Sequence, residues 1–297
     1  MPQITLDEID AHRPDVLLPP DPEFAESYGE LVAFGREVAR NSTVAFVAIC
    51  RNAMPWLPRT LALLEETGAM FREWSAFIYE NDSEDDTKAV LGDWHDGQQR
   101  QCSLNINGRP HLNHTTATER TYALAEYRAE CQRWVRDGEP VDLVCVLDSD
   151  SWGGWSIDGL MTSVAHMARS DWWGLASFSW CELQTAGGGV IPAHYDAWAC
   201  RWTWWQQRSH DWFHMWMPPC GSRPVEMNSA FGQLALYDAK AFLRGRYTGD
   251  TCEHVGLHRS IAEHPGTRGR FGLNPSSRCV SFWKPAEPSN GGQHSGD

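Results

Sequence analysis

The segment VDLVCVLDSDSWGG constrains this chain more than any other. Residues 141–147 have the length and β-branched content of a strand buried on both faces. The run stops abruptly in Asp148-Ser149-Asp150, followed by Gly153 and Gly154. In an open α/β sheet, ligands bind outside the carboxyl ends of such strands. Side chains two apart on an extended chain point the same way. The two carboxylates would therefore repel one another unless a cation sat between them. Oxygen donors of this kind suit Mg2+ or Mn2+, and the glycines would let a bulky group approach the backbone. The competing reading is a solvated turn, because Asp, Ser and Gly are the usual turn formers.

Other runs repeat the pattern of a strand with a polar tip. Residues 43–50 (TVAFVAIC) read as a buried strand, followed at once by Arg51-Asn52 and then a helix to Gly68. Arg51 fits either a phosphate partner, through its planar fork, or a structural ion pair. Residues 74–79 (WSAFIY) form a third strand that ends in an acidic turn beginning Glu80-Asn81-Asp82. That turn could accept hydrogen bonds from a base or ribose, or simply cap the helix at 88–94. A short strand at 101–106 and a long helix at 118–135 lead back to residue 141. Strand-helix-strand-helix-strand order implies an α/β fold with a mainly parallel sheet.

The second half is less regular. A helix at 156–168 capped by Ser156, a strand at 172–180 and a Gly-rich turn at 186–189 precede a Trp-rich segment. Of the 16 Trp residues many fall between 152 and 216. Most are expected in the core, with one or two on a ligand. Tyr195, Asp196 and Arg201 are the best polar group there. Residues 225–237 read as a loop running into a strand, then a short helix at 238–244. Glu253, His254 and His258 fall on one helical stretch, where the two histidines share a face and could bind metal or simply pack. Late strands are expected at 270–274 and 279–283.

Composition narrows the class. The chain has 297 residues and a net charge of −14, which gives no basic footprint for nucleic acid. Nine cysteines occur singly with no CxxC pair, the usage of a reduced, cytoplasmic protein rather than a disulfide or zinc scaffold. The first residues carry no signal peptide, and no apolar run approaches the ~20 residues of a membrane span. Residues 1–42 read as a little-structured arm plus a packing helix, and 286–297 as a disordered tail.

Four blocks, in order, carry a resemblance. IYENDSEDDT, VLDSD, NSAFGQLALY and CEHVGLH resemble the acidic turn, the DxD and the late blocks of GT-A class nucleotide-sugar glycosyltransferases. The similarity extends to family-2-type enzymes and to relatives of the capsule mannosyltransferases. It implies one GT-A-type sheet, with residues 43–155 as a nucleotide-sugar half and 156–285 as an acceptor-side half. It implies a nucleotide-diphosphate-sugar donor, Mn2+ or Mg2+, and a hydroxyl acceptor, either a saccharide or a modified nucleic-acid base. By the same resemblance Glu80 and Asp82 would contact base or ribose, Asp148 would reach the ribose as well as the metal, and Asn52 and Ser149 would also bind the donor. Arg51 would hold phosphate. Asp148 and Asp150 would bind metal with His258, and Glu253, or else Asp196, would be the catalytic base. The chain departs from the pattern at Glu80, where Asp is commoner, and at Gln233, where Gly is usual. The late Glu-Asp pair of inverting members is missing, which leaves retaining or inverting chemistry open. Two other readings fit the residues alone: a metal-dependent hydrolase of glycosides or phosphoesters, and a non-catalytic carbohydrate-binding protein.

Overall fold

The apolar runs form strands where their composition places them. The computed structural model describes residues 4–112, 117–184, 190–205 and 212–281. Its first half contains helices α1 (Leu6–Ala11), α2 (Pro14–Leu17), α3 (Ala25–Ala39), α4 (Leu57–Gly68), α5 (Thr87–Trp94) and α6 (Thr118–Asp137). Between them run β1 (Thr43–Cys50), β2 (Glu73–Asn81), β3 (Arg100–Asn105) and β4 (Leu143–Asp148). These four strands are parallel, in the order β3-β2-β1-β4. Chain direction therefore switches sides between β1 and β4, which opens a crevice at their carboxyl ends.

The two-residue period of the strands sorts the core into two layers. Val44, Phe46, Ala48 and Cys145 pack with Leu57, Leu61, Leu64, Leu160 and Met161. Ala45, Val47, Val144 and Val146 pack on the opposite face with Ala125, Tyr127 and Cys131 of α6. Both faces are covered, as near-continuous apolar strands require.

The second half extends the same sheet. It comprises β5 (Gly154–Trp155), α7 (Ile157–Arg169), β6 (Trp172–Gln184), β7 (Val190–His194), α8 (Trp212–Met215), β8 (Val225–Glu226), β9 (Leu234–Asp238), α9 (Ala239–Arg244), α10 (Glu253–Glu263) and β10 (Arg270–Val280). From β4 the order continues β9-β6-β10-β5. β9 is antiparallel to both β4 and β6, and β10 is parallel to β6. Six strands, β1, β2, β3, β4, β6 and β10, thus share one direction, and β9 together with β5, β7 and β8 runs the other way. Ser156 caps α7 by accepting a hydrogen bond from the Gly159 N–H.

Two sequence expectations change. The amino-terminal arm is ordered from Ile4: Thr5 and Glu8 form a capping box, and Ile4, Ile9 and Leu18 are buried against the core. Too few apolar residues occur there to make a period, so tertiary contact decides. The two late strands are one, β10, whose register against β6 shifts between Asn274 and Arg278. Pro275 lies in that shift and lacks an N–H for the ladder. The Gly-rich turn at 186–189, residues 282 and 283 of the last strand, and the tail lie outside the described residues. No helix among the described residues is long and apolar enough to cross a membrane. All nine cysteines are free thiols.

Candidate active site

The carboxyl ends of β1 and β4 open into a cavity of about 630 Å3. That volume lies in the range typical of small-molecule sites. Its walls include Arg51, Asn81, Asp148, Asp150, Asp196, Glu253 and His254.

β4 delivers the acidic pair, and a loop from the second half fixes it. The Asp148 N–H donates to the Gln233 carbonyl at 2.9 Å. Gln233 has φ +66°, the left-handed conformation usual for glycine. Its side-chain oxygen accepts from Ser179 at 2.9 Å and Ser151 at 3.4 Å. That explains how glutamine serves where the resemblance has glycine: its amide locks the turn. The preceding Gly232 is not replaceable, because an added Cβ would lie 1.9 Å from the Ser177 carbonyl oxygen. Ser149 turns its hydroxyl to the Ile49 carbonyl at 3.0 Å, joining the two strand tips. Asp150 is left open to the cavity.

Arg128 of α6 is the residue that sequence reasoning missed. It is 2% exposed. Its Nη2 donates to Asp148 Oδ1 at 2.6 Å and its Nη1 to the Leu147 carbonyl at 3.2 Å. Its Nε lies 3.7 Å from Glu253 Oε1, and its guanidinium sits over the Phe231 ring at 5.2 Å. A signal was present: Arg128 is four residues from Leu124 and three from Cys131, so it shares their inward helical face. A buried arginine needs an anionic partner.

α10 brings Glu253 and His254 to the cavity but not His258. His258 is fully buried, with Nδ1 2.8 Å from the Ser229 hydroxyl and Nε2 2.9 Å from the Tyr237 hydroxyl. Both ring nitrogens are thus engaged in the core, and His258 has none free for a metal. His254 stacks on Phe231 with ring centroids 3.6 Å apart. Its two ring nitrogens are buried without a hydrogen-bond partner among the described residues, and Nε2 lies 3.4 Å from Glu253.

Asp196 enters from the loop after β7, where its Oδ2 accepts from the Gly232 N–H at 3.1 Å. Arg201 does not join it in the cavity: its Nη1 bonds the Trp198 and Cys200 carbonyls and holds the turn. Among the described tryptophans, Trp198 is the one that borders the cavity, while Trp155 and Trp180 are core.

The β2 tip builds a wall rather than a ligand set. Glu80 Oε1 accepts from the Ser83 N–H at 2.8 Å. Asp82 sits at φ +54° and turns its Oδ1 to the N–H groups of Asn107 and Gly108. Asn52 at φ +49° ties to Glu84. Asn81 faces the cavity in their place. Arg51 borders the cavity, and its Nη1 donates to the Arg109 carbonyl at 3.1 Å.

Burial and mutual repulsion govern the charges. Burial raises the pKa of Asp148 and Arg128 opposes the rise. Burial, then Asp148, pushes Asp150 up to about 6. Burial, Asp148 and Glu253 push Asp196 up to about 8, against the Gly232 hydrogen bond. Glu253 is also raised by burial, with Arg128 opposing. His254 is held neutral by burial and by neighbouring Arg128. Four crowded carboxyls ask for added positive charge. Among the described residues no three His, Cys, Asp or Glu side chains stand close enough to grip an ion as they are. The chemistry of the donors nevertheless fits one: Asp148 and Asp150 offer hard oxygens, which suit Mn2+ or Mg2+, and the neutral His254 ring, with Nε2 3.4 Å from Glu253, adds a nitrogen that suits Mn2+ rather than Mg2+.

No family profile and no curated protein sequence matches the chain. Solved structures do match in shape. GalNAc-T7, solved with UDP, GalNAc and Mn2+, superposes with a TM-score of 0.52 at 12% identity, over 90% of this chain and 54% of that one. The mannosyltransferase PcManGT from Pyrobaculum calidifontis, solved with GDP-Man and Mn2+, gives 0.48 at 12% identity, over 93% and 68%. S. aureus TarS 1-349 gives 0.46 at 10% identity, over 81% and 60%. The chain spans about half the length of the GalNAc-T7 chain. The architecture is a GT-A-type fold.

Proposed function

We propose that the chain is a metal-dependent glycosyltransferase that moves a sugar from a nucleotide-diphosphate sugar to a hydroxyl acceptor. One observation carries this reading. Asp148, Asp150, Asp196, Glu253 and His254 converge in a single cavity at the point where the strand order reverses.

Asp148 and Asp150 would hold the metal, with His254 rather than His258 as the further ligand. When bound, Mn2+ or Mg2+ supplies Lewis-acid stabilisation of charge on the departing diphosphate. Arg128 holds Asp148 in place and favours its ionised form. Arg51 and Asn81 border the end where base and ribose would lie, and the Glu80–Asp82 turn shapes that end without reaching in. Tyr195, Trp198 and Phe231 give the other end aromatic walls, which suit a saccharide acceptor.

If the reaction inverts, a carboxylate must take the acceptor proton within hydrogen-bond reach. Glu253 is hemmed in by Arg128 and His254. Asp196 is only partly buried and makes one backbone contact on Oδ2, so it is the better-placed base. A base works only when deprotonated, so the rate should climb with pH toward the value of about 8 at Asp196. Asp196→Asn should lose that limb and about 10²–10⁴ in kcat. An unchanged limb in the variant's kcat/KM–pH profile would move the role elsewhere.

Thermal-shift measurement with UDP-, GDP- and CDP-sugars, with and without Mn2+, tests the function. A true donor at 100 times its Kd stabilises by about 2.7 kcal/mol. One donor should raise the melting temperature with Mn2+, and chelator should remove the shift. No shift with any donor would refute the proposal. Turnover equally fast without an acceptor would favour a hydrolase.

A further inference from the structure

We infer that Arg120, at the amino-terminal end of α6, is the side chain that grips the donor diphosphate. This inference rests on the glycosyltransferase reading and assigns a residue within it.

One stripe of α6 faces the cavity: Arg120, Ala123, Leu124, Tyr127 and Arg128 line it, with Glu119 beside Arg120 at its edge. Their spacing is that of a single helical face. Two arginines thus stand two turns apart on the same wall, and their surroundings divide their work. Arg128 is buried and spends its donors on Asp148 and the Leu147 carbonyl. Arg120 is only partly buried, and its guanidinium makes no hydrogen bond or ion pair with any described residue.

Each of the other cavity arginines already holds a described partner, although Arg51 does so through Nη1 alone and its buried Nε has no partner among the described residues. Arg51 donates to the Arg109 and Pro110 carbonyls and so holds the loop after β3. Arg109 is paired with Glu126 and lies over the Tyr127 ring. Among the described residues, Arg120 is therefore the cavity arginine whose fork makes no bond. Its field reaches the acidic centre without touching it: it favours the ionised forms of Asp148, Asp150 and Glu253.

An arriving diphosphate needs such a group. The cavity walls carry five carboxyls, Glu119, Asp148, Asp150, Asp196 and Glu253, which when ionised repel phosphate oxygens. A divalent ion between Asp148 and Asp150 offsets little more than that pair. A second, mobile cation on the facing wall would neutralise the remaining phosphate charge. Guanidinium matches paired phosphate oxygens in geometry as well as charge.

The test uses the full chain with UDP and GDP as probes, by titration calorimetry in Mn2+ and again in chelator. Uridine and guanosine binding is followed by ligand-observed NMR. Arg120→Gln should weaken the diphosphate that wild type prefers by about 10- to 100-fold, the worth of a charged hydrogen bond. The loss should persist in chelator. Nucleoside binding and melting temperature should not move, because the group has no partner among the described residues and is partly exposed. Arg120→Lys should recover part of the affinity, through charge without the fork. Wild-type diphosphate affinity in Arg120→Gln would overturn the assignment alone, as would an equal loss for nucleosides. Failure of wild type to bind either diphosphate would overturn the donor reading, and this assignment with it.

Discussion

Asp150→Ala should abolish Mn2+-dependent transfer, with kcat falling about 10³-fold or more. Lewis-acid stabilisation contributes several kcal/mol at the transition state, and each 1.36 kcal/mol is tenfold in rate. The variant should separate chemistry from folding cleanly. Asp150 opens to the cavity, and its carboxylate bonds no other side chain among the described residues. Desolvation within the cavity raises its pKa most, and Asp148 is the like charge that adds to the rise. Removing one of two repelling anions should leave the metal-free melting temperature unchanged or slightly higher. Asp150→Asn, equal in size but uncharged, should lose activity to the same extent. Mn2+ titration followed by electron paramagnetic resonance would show weaker binding in both. Full activity of Asp150→Ala in chelator would remove the metal from the mechanism.

Arg128→Met should be the most damaging single change to the fold near the site. It strips the counter-charge from Asp148 at 2.6 Å and from Glu253 at 3.7 Å. Breaking a buried pair costs about 3–5 kcal/mol, because the surviving charge stays buried and uncompensated. The Asp148 side chain retains 24% exposure, so the lower end, about 3 kcal/mol, is expected. The measurement is the urea midpoint at constant m-value. Asp148→Asn in the Arg128→Met background should recover part of the loss, giving a coupling of about 0.5–3 kcal/mol in the double-mutant cycle. A loss below about 1 kcal/mol, the worth of a surface pair, would show that Arg128 is not a buried electrostatic hub.

The frame of the site was legible because it depends on local patterns. β1 spans the eight residues TVAFVAIC, a run that only a doubly covered strand explains. Ser156 caps α7 because a side-chain acceptor there meets an otherwise orphaned N–H. The acidic pair stands at the tip of β4 because Asp and Ser end an apolar run. The reversal of β9 was not legible, since periodicity carries no strand direction. Nor were the roles of residues at the tips, where one dihedral angle decides. Asp82 at φ +54° swings away from the cavity onto the Asn107–Gly108 loop.

The histidines make the same point about docking. Helical spacing puts His254 and His258 on one face, and they do stack, 6.3 Å apart. Which of them reaches the cavity depends on how deep α10 sits. Its first turn stands at the rim and its second in the core, so the two chemically alike residues have opposite surroundings. Arg128 was hidden for another reason. Its partner Asp148 lies 20 residues away on another element, and only the packing of α6 on the sheet joins them.

The most direct measurement is anomalous diffraction from crystals grown with MnCl2 and the preferred nucleoside diphosphate. One manganese peak should appear in the cavity between the tips of β1 and β4, bonded to the Asp150 carboxylate and to diphosphate oxygen. Nucleotide bound with no manganese at Asp150, or manganese bound far from this cavity, would contradict the account.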